Sequence, residues 1–311
     1  MAAAAALSVL AQTEKDFECF IVDDGSTDDT GRVLGALPKD SRLKLLRMEK
    51  NGGQHACRNR AIKLSQGRFV TFLDSDDLYL PGRLAAFRRA AEERPAAGFW
   101  FSNAYVHRFG RVQGTLFDPA RSIPQGKVPG WYAVGDKFLP YVTTNVAIRR
   151  EAFDKHGVFR EDLRILEDTE LYARMLGGGL EVGAIFEPLS VRFLHDAQIT
   201  RDYERDFKEA LIALDAGAPP PDVREARRRE IALEVATYLW KDARPEQARE
   251  LLVRELGDEA RSMPLYRWTH LPAFLLAGLR AARRAALSLK PAAAPDVQRF
   301  VDSTFDQASK L

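Results

Sequence analysis

A pair of neighbouring carboxylates, Asp23 and Asp24, follows the apolar stretch "CFIV" directly and precedes the small and hydroxyl-bearing residues "GST". An apolar run that ends in a glycine-containing polar cluster predicts a buried strand followed by a tight turn. In open α/β sheets, ligands bind outside the carboxyl ends of the strands. The alternative for this stretch alone is a turn whose side chains cap the next helix.

A second acidic cluster, Asp74–Asp77 ("DSDD"), follows another apolar run, "RFVTFL". Because both clusters come after a predicted strand, we expect their carboxylates at one sheet edge, where they repel one another unless a cation lies between them. Mg²⁺ or Mn²⁺ uses one or two carboxylates and completes its coordination shell with water and phosphate oxygens. An isolated Asp-x-Asp is more often a solvated turn, but a second acidic turn nearby favours a cation site.

Two further candidates lie on predicted helices. Arg58, in "NGGQHACRNRAI", falls in the first turn of a helix, where it can reach a diphosphate or a carboxylate; the alternative is an ordinary surface arginine. Glu167 and Asp168 begin the helix "EDTELYARML", where the helix dipole stabilises acidic side chains, so plain capping is one interpretation. If that helix faces the same cleft, Asp168 is a candidate general base that deprotonates a hydroxyl.

Alternating helices and apolar strands position these groups. The patterns predict helices at 2–12, 29–37, 56–66, 81–93, 151–156 and 167–176, and strands at 18–22, 43–48, 68–74, 97–107 and 141–150, with two short strands around Pro188 within 181–195. Residues 106–140 are rich in glycine, proline and aromatic residues and are expected to form a long loop. This order predicts an α/β fold with a mostly parallel sheet flanked by helices.

The composition changes after about residue 203 to Ala, Arg, Glu and Leu with helical periodicity. We therefore divide the chain into a domain at 1–200 and a helical C-terminal region at 201–311, with a helical hairpin at 225–256. The segment 261–290 carries six basic residues and no acidic one. Its apolar stripe, with Trp268 and Phe274, suits a membrane interface; the alternative is a core-packing helix with a solvated basic face.

The bulk composition excludes several classes of protein. The net charge of +2 over 311 residues argues against a chain-wide field for nucleic acid or membrane, so no nucleic-acid partner is expected. Two cysteines exclude a disulfide scaffold and fit a reducing compartment. No apolar run approaches the roughly 20 residues needed to span a bilayer. We expect a cytoplasmic protein, peripheral on the inner face of the membrane.

Four segments occur in the order and spacing of a known family: "SVLAQT…DFECFIVDDGSTDDT", "NGGQHACRNRAI", "GRFVTFLDSDDLYLPGRL" and "LEDTELYARML". Over about residues 7 to 195 the chain resembles the family-2 inverting glycosyltransferases, which have the GT-A (Rossmann-like) fold. The resemblance implies transfer of a sugar from a nucleotide-sugar donor, expected to be UDP-linked, to a hydroxyl of a cell-surface glycan or its lipid-linked precursor.

The resemblance also implies a set of donor-binding residues. Asp24 would bind the nucleotide base, expected to be uracil, with Asp23 beside it. Asp74 would lie near the ribose or diphosphate, and Ser75 and Arg58 belong to the same donor site.

Metal-binding and catalytic roles follow from the same resemblance. Asp76, which closes the Asp-x-Asp, would bind Mg²⁺ or Mn²⁺ together with His195, although a lone histidine after a strand is more often structural. Asp168 would be the catalytic base of a single displacement, and the cation would stabilise the charge that develops on the leaving phosphate.

One departure from the family concerns the start of the chain. The family begins with an apolar strand that ends in a Pro-x-Tyr-Asn-like turn, whereas this sequence starts at the helix that follows. The expectation is a sheet one strand short and an incomplete nucleotide pocket, either because the start is truncated or misassigned or because donor binding has been lost. The first rival hypothesis is therefore a non-catalytic relative that binds a glycan or a partner. The second rival hypothesis is a nucleotidyltransferase or another phosphate-metal enzyme. Such a protein would carry a glycine-rich basic phosphate loop near its start, and this sequence has none there.

Overall fold

The structure is a computed structural model that describes residues 1–194, 202–271, 275, 278, 281, 282, 285 and 293–311. Its strands are β1 Cys19–Asp23, β2 Leu43–Arg47, β3 Phe69–Thr71, β4 Leu78–Tyr79, β5 Ala97–Arg108, β6 Arg111–Thr115, β7 Val146–Arg149 and β8 Glu181–Phe193. Its α-helices are α1 Ala2–Leu10, α2 Thr30–Gly35, α3 Gln54–Leu64, α4 Arg83–Glu93, α5 Arg150–His156, α6 Glu167–Gly177, α7 Tyr203–Ala216, α8 Pro221–Lys241, α9 Pro245–Leu256, α10 Pro264–Trp268 and α11 Pro295–Ser309.

The described strands form two sheets. β1 and β2 pair in parallel, and the larger, six-stranded sheet has the order β3-β7-β5-β8-β4 with β6 added to β5. Within the larger sheet β5 and β8 run parallel, and the other pairs run antiparallel. The expected α/β fold is confirmed, but the expectation of mostly parallel pairing holds only for β1–β2 and β5–β8.

Chain connections explain the antiparallel pairs. β6 follows β5 after two residues, Phe109 and Gly110, both with positive φ (53° and 76°), and a turn this short can only join antiparallel strands. β7 returns after the long loop rather than through a helical crossover, so it is not constrained to run parallel to β5.

β8 is a single strand and not the predicted pair of short strands. Its pairing with β5 shifts where Ser102 lies opposite Ile185 and the next residue, Asn103, lies opposite Pro188. Proline has no backbone N–H to donate, so it is accommodated at such an irregularity while the strand continues on either side.

The buried strand β5 organises the core. Residues 97–104 are all buried, because helices cover both faces of the sheet at this strand. On one face, Phe99 packs against Tyr141 and Tyr172 with ring centroids 5.8 and 5.0 Å away. On the other face, Trp100 packs with Phe87 of α4. Full burial of each such side chain contributes about 1.5–3 kcal/mol.

The C-terminal helices α7, α8 and α9 share this core. Phe207 of α7 and Val235 of α8 belong to the same buried cluster as Phe99. α11 packs on a separate cluster in which Val301 joins Phe193 of β8. The division of the chain at residue 200 remains a prediction. No described helix has the length and apolar character that crossing a membrane requires.

Candidate active site

The acidic turn after β3 separates its carboxylates into two environments. Asp74 and Asp76 are partly exposed and Ser75 is exposed, whereas Asp77 is only 3% exposed. The Asp77 carboxylate accepts hydrogen bonds from Thr144 Oγ1 (2.6 Å) and from the backbone N–H of Phe193 (2.8 Å). Burial raises the pKa of Asp77 to about 7, against the opposing effect of the Thr144 hydrogen bond. Asp77 therefore holds the end of β8, and Asp74 and Asp76 remain as the carboxylates of this turn that solvent reaches.

Arg58 connects this turn to the start of α6. Its guanidinium donates to Asp74 Oδ1 and to Glu167 Oε1, both at 2.8 Å, and its side chain is 11% exposed. Burial opposes its charge, but Asp74 and Asp168 outweigh burial, so the pKa of Arg58 is raised. The predicted alternative of an ordinary surface arginine is wrong, because the side chain is buried between two acidic groups.

Glu167 and Asp168 begin α6 beside Arg58. The Glu167 side chain is 1% exposed, and burial, with Asp168 nearby, raises its pKa to about 7 although Arg58 opposes the shift. Asp168 is partly exposed, and its Oδ2 accepts a hydrogen bond of 2.6 Å from Thr143 Oγ1 while its Oδ1 accepts the N–H of Thr169 at 2.6 Å. The start of α6 thus faces the same cluster as Asp74, as the base hypothesis requires.

The first acidic turn is held mainly by backbone groups. Asp24 accepts the N–H groups of Gly52 and Gly53 at 2.7 and 2.8 Å, one on each carboxylate oxygen. Asp23 is buried and accepts the N–H of Ser26 at 2.9 Å, and hydrogen bonding from Ser26 lowers the pKa of Asp23. Gly53 directly precedes α3, and Arg58 lies one turn further along that helix. α3 therefore connects the two acidic turns.

The sequence patterns did not predict several residues that hold the site in place. Glu209 of α7 accepts the backbone N–H groups of Arg164, Ile165 and Leu166 at 3.0, 2.8 and 3.0 Å, which fixes the approach to α6. The predicted strand 141–150 is in fact a 3-10 turn at Thr143–Asn145 followed by β7. Three consecutive polar residues in an otherwise apolar run were the available signal.

Oxygen ligands at the second acidic turn fit a hard divalent cation. Mg²⁺ needs only one or two protein carboxylates when phosphate and water complete its shell, and Asp74 and Asp76 are carboxylates on one partly exposed turn. Among the described residues, no group of three or more His, Cys, Asp or Glu side chains is arranged to hold a metal ion. His195, the other predicted ligand, lies outside the described residues.

Comparison with known proteins identifies the family. The sequence model described as "Glycosyl transferase family 2" matches residues 2–157, so the chain belongs to this family. The chain is 33% identical over 198 residues to the succinoglycan biosynthesis protein ExoU of Rhizobium meliloti (strain 1021). This match covers 57% of this chain and 53% of ExoU. It is 34% identical over 112 residues to the UDP-Glc:alpha-D-GlcNAc-diphosphoundecaprenol beta-1,3-glucosyltransferase WfaP of Escherichia coli. This match covers 36% of this chain and 44% of WfaP.

A solved structure shows the fold. The mannosyltransferase PcManGT from Pyrobaculum calidifontis, in complex with GDP-Man and Mn²⁺, matches with a TM-score of 0.53 and 16% sequence identity, over 98% of this chain and 81% of PcManGT. The predicted GT-A fold and the predicted protein class, a family-2 glycosyltransferase, are confirmed. The chain spans about half the length of each of these two curated relatives.

Proposed function

We propose that this chain is a metal-dependent inverting glycosyltransferase that moves a sugar from a UDP-linked donor to a hydroxyl group. The observation that carries the proposal is the bridge made by Arg58, which bonds Asp74 on one side and Glu167 on the other at 2.8 Å. This bridge brings the acidic turn next to Asp168, so a donor diphosphate and an acceptor hydroxyl can be held in one site.

Asp168 acts as the general base in this proposal. It is partly exposed, so an acceptor hydroxyl can reach its carboxylate and transfer a proton to it. The acceptor oxygen forms a bond to the anomeric carbon as the bond from that carbon to the phosphate oxygen breaks. The leaving nucleoside diphosphate keeps the electron pair, and this single displacement inverts the anomeric centre. Arg58 contributes positive charge beside the leaving group.

Asp76 and His195 are the proposed metal ligands, with Asp74 and Ser75 close to the donor diphosphate and ribose. A bound Mg²⁺ or Mn²⁺ would neutralise charge on the leaving diphosphate. The carboxylate chemistry of the turn and the Mn²⁺ that PcManGT binds with GDP-Man support this assignment.

Asp24 and Asp23 are the proposed contacts for the uracil base. The backbone groups of Gly52 and Gly53 occupy one acceptor site on each oxygen of Asp24. An ionised carboxylate has about four such sites, so acceptor capacity remains for the N–H of a uracil ring. The UDP-Glc in the name of WfaP supports a uridine donor.

The proposed acceptor is a cell-surface glycan or its lipid-linked precursor, which the names of ExoU and WfaP support. Peripheral contact with a membrane, on the cytoplasmic side, belongs to this proposal. Trp268, Leu271 and Leu275 are 51%, 40% and 46% exposed, and the neighbouring Arg267 is exposed as well. Exposed aromatic and aliphatic side chains next to a basic residue suit an anionic lipid surface.

The predicted basic amphipathic segment 261–290 is described only in part. Phe274 and the arginines at 280, 283 and 284 lie outside the described residues. Co-sedimentation with phosphatidylcholine vesicles, with and without phosphatidylglycerol, tests the contact. We expect binding to the anionic vesicles that Trp268→Ala weakens and that Leu45→Ala, a change at an exposed leucine of β2, leaves unchanged. No binding to either vesicle would reject the membrane contact.

Calorimetric titration of UDP with and without Mn²⁺ tests the donor site. We expect binding that needs Mn²⁺ and that Asp76→Ala abolishes. Asp222→Ala, which removes an exposed carboxylate on α8, is the matched control and should bind as the unchanged chain does. Absence of UDP binding to well-folded protein would contradict the proposal and favour a non-catalytic relative.

A further inference from the structure

The 3-10 turn Thr143–Asn145 links the two halves of the candidate site. Its three residues are 7%, 0% and 0% exposed, yet all three carry polar side chains. Buried polar groups are kept in folded proteins when they find hydrogen-bond partners, so the partners of these side chains indicate what the turn does. Each side chain bonds a different part of the molecule.

Thr143 is bonded to the proposed base. Its hydroxyl lies 2.6 Å from Asp168 Oδ2, and an ionised carboxylate can only accept, so the hydroxyl donates this hydrogen bond. Since the N–H of Thr169 already binds the other oxygen, the carboxylate of Asp168 is fixed at both ends. Its plane and its rotamer are thereby set before an acceptor arrives.

Thr144 is bonded to the acidic turn. Its hydroxyl donates to Asp77 Oδ2 at 2.6 Å and accepts the backbone N–H of Asp74 at 3.2 Å. Its carbonyl oxygen accepts a hydrogen bond of 2.9 Å from Arg83, which is fully buried. One residue therefore holds the turn that carries the proposed donor and metal groups.

Asn145 anchors the turn to the sheet. Its Oδ1 accepts the N–H of Val142 at 2.9 Å, and its side-chain amide donates to the carbonyl of Ser102 on the central strand β5. The consecutive threonines are thus held on β5, whose residues 97–104 are all buried. Their two attachments, to Asp168 and to the acidic turn, are a single residue apart in the chain.

We infer that Thr143 is a positioning residue for Asp168, and that the turn Thr143–Asn145 fixes the base relative to the donor turn. This inference rests on the proposed function, because it takes Asp168 to be the base. Misplacement of a catalytic group by about 1 Å can lower a rate about a hundredfold. Valine has the shape of threonine without the hydroxyl, so Thr143→Val removes the hydrogen bond and little else.

The test measures release of the nucleoside diphosphate, with Mn²⁺ present, from four sugar donors: UDP-glucose, UDP-galactose, UDP-GlcNAc and GDP-mannose. The variants are then compared using the donor that the unchanged chain consumes fastest. We expect Thr143→Val to lower kcat about 10- to 100-fold with the donor KM unchanged within about threefold. Thr143→Ser keeps the hydroxyl group that donates the hydrogen bond to Asp168 and should retain kcat within about threefold. A wild-type kcat in Thr143→Val, or an equal loss in Thr143→Ser, would overturn the inference.

Asp168→Asn separates this inference from the proposed function. If Asp168→Asn retains full activity, the assignment of the base is wrong; if it is inactive while Thr143→Val is not, only the positioning role is wrong. Adding Thr143→Val to Asp168→Asn should cause no further loss of rate, because the two residues act as a unit.

A thermal-unfolding cycle of Thr143→Val and Asp168→Ala, which removes both oxygens of the Asp168 side chain, decides whether the hydrogen bond forms and needs no sugar donor. We expect the loss of melting temperature in the double variant to be smaller than the sum of the two single losses. Additive losses would show that Thr143 and Asp168 do not interact and would overturn the inference.

Discussion

The two acidic turns of this molecule have similar sequences and different surroundings. After β1, Asp23 and Asp24 are bonded chiefly to backbone N–H groups of Ser26, Gly52 and Gly53. After β3, the carboxylates are bonded to side chains from distant parts of the chain, such as Arg58 and Thr144. An acidic turn after a strand is therefore one local pattern, and the tertiary partners decide what each carboxylate does.

The difference has an electrostatic consequence. Hydrogen bonds to Asp23 favour its ionised form, so its pKa is lowered. Burial of Asp77 and Glu167 disfavours ionisation, so the pKa of each is raised to about 7. Asp23 in the first turn is therefore stabilised in its ionised form, whereas ionisation of Asp77 and Glu167 is energetically unfavourable.

Arg58→Ala should have the largest effect on stability, because it leaves Glu167 buried without its cation. Removal of one partner of a buried pair costs about 3–5 kcal/mol in the free energy of unfolding. Arg47→Ala is the matched change at the first turn, where Arg47 is 62% exposed and 3.5 Å from Asp23. An exposed arginine of this kind contributes about 0–1 kcal/mol. Urea unfolding of both variants measures the contrast, and equal losses would contradict it.

Gly53→Ala should have an intermediate effect and act on the first turn. Gly53 has φ +85°, and an added Cβ would lie 2.8 Å from the ring of His55. Residues with a side chain rarely adopt this backbone conformation, so we expect a loss of about 1–3 kcal/mol in the free energy of unfolding. Gly82→Ala is the control, since φ is −85° and no neighbouring atom lies within 4 Å of the added Cβ. A neutral Gly53→Ala would show that the Asn-Gly-Gly turn does not constrain Asp24.

The pH dependence of stability should give the smallest difference between two neighbouring pH values of the measurement, because it is spread over several pH units. The pKa of Glu167 is raised from 4.5 to about 7, so the folded chain keeps a proton in this window that the unfolded chain releases. The free energy of unfolding therefore falls as the pH rises from 4.5 to about 7, by less than about 1.4 kcal/mol per pH unit. Glu167→Gln should flatten this slope in urea unfolding at pH 5, 6 and 7. An unchanged slope would contradict the raised pKa.

Asp23 should give the opposite sign at the first turn. Because its pKa is lowered, its contribution is present above its ordinary value of 3.8 and is lost as the pH falls further. Asp23→Asn should therefore flatten the loss of stability below about pH 4; in the neutral range it should lower the free energy of unfolding by a constant amount and leave its dependence on pH unchanged.

Local patterns in the sequence predicted the elements that carry the site. The acidic turns, the arginine on α3 and the carboxylates that begin α6 all lie where strand and helix signals indicated. Strand direction was not predictable in the same way, because helix–strand alternation does not show that β7 returns through a loop. The resemblance to the family supplied the roles of the residues, and those roles remain predictions.

Long-range partners account for what was missed. Thr143 and Thr144 resemble ordinary strand residues in sequence, and Glu209 resembles a surface glutamate of an amphipathic helix. Their roles come from partners 25, 67 and 45 residues away along the chain, at Asp168, Asp77 and Arg164. No periodicity of 2.0 or 3.6 residues encodes such a contact.

The most direct test of the account compares Asp76→Ala with Asp168→Asn in two assays, UDP binding with Mn²⁺ and UDP release from the preferred donor. We expect Asp76→Ala to lose UDP binding, whereas Asp168→Asn should bind UDP normally and release UDP from the donor at least about a hundredfold more slowly. Normal UDP release by Asp168→Asn, or normal UDP binding by Asp76→Ala, would contradict the central claim that the turn after β3 holds the donor and that Asp168 removes the acceptor proton.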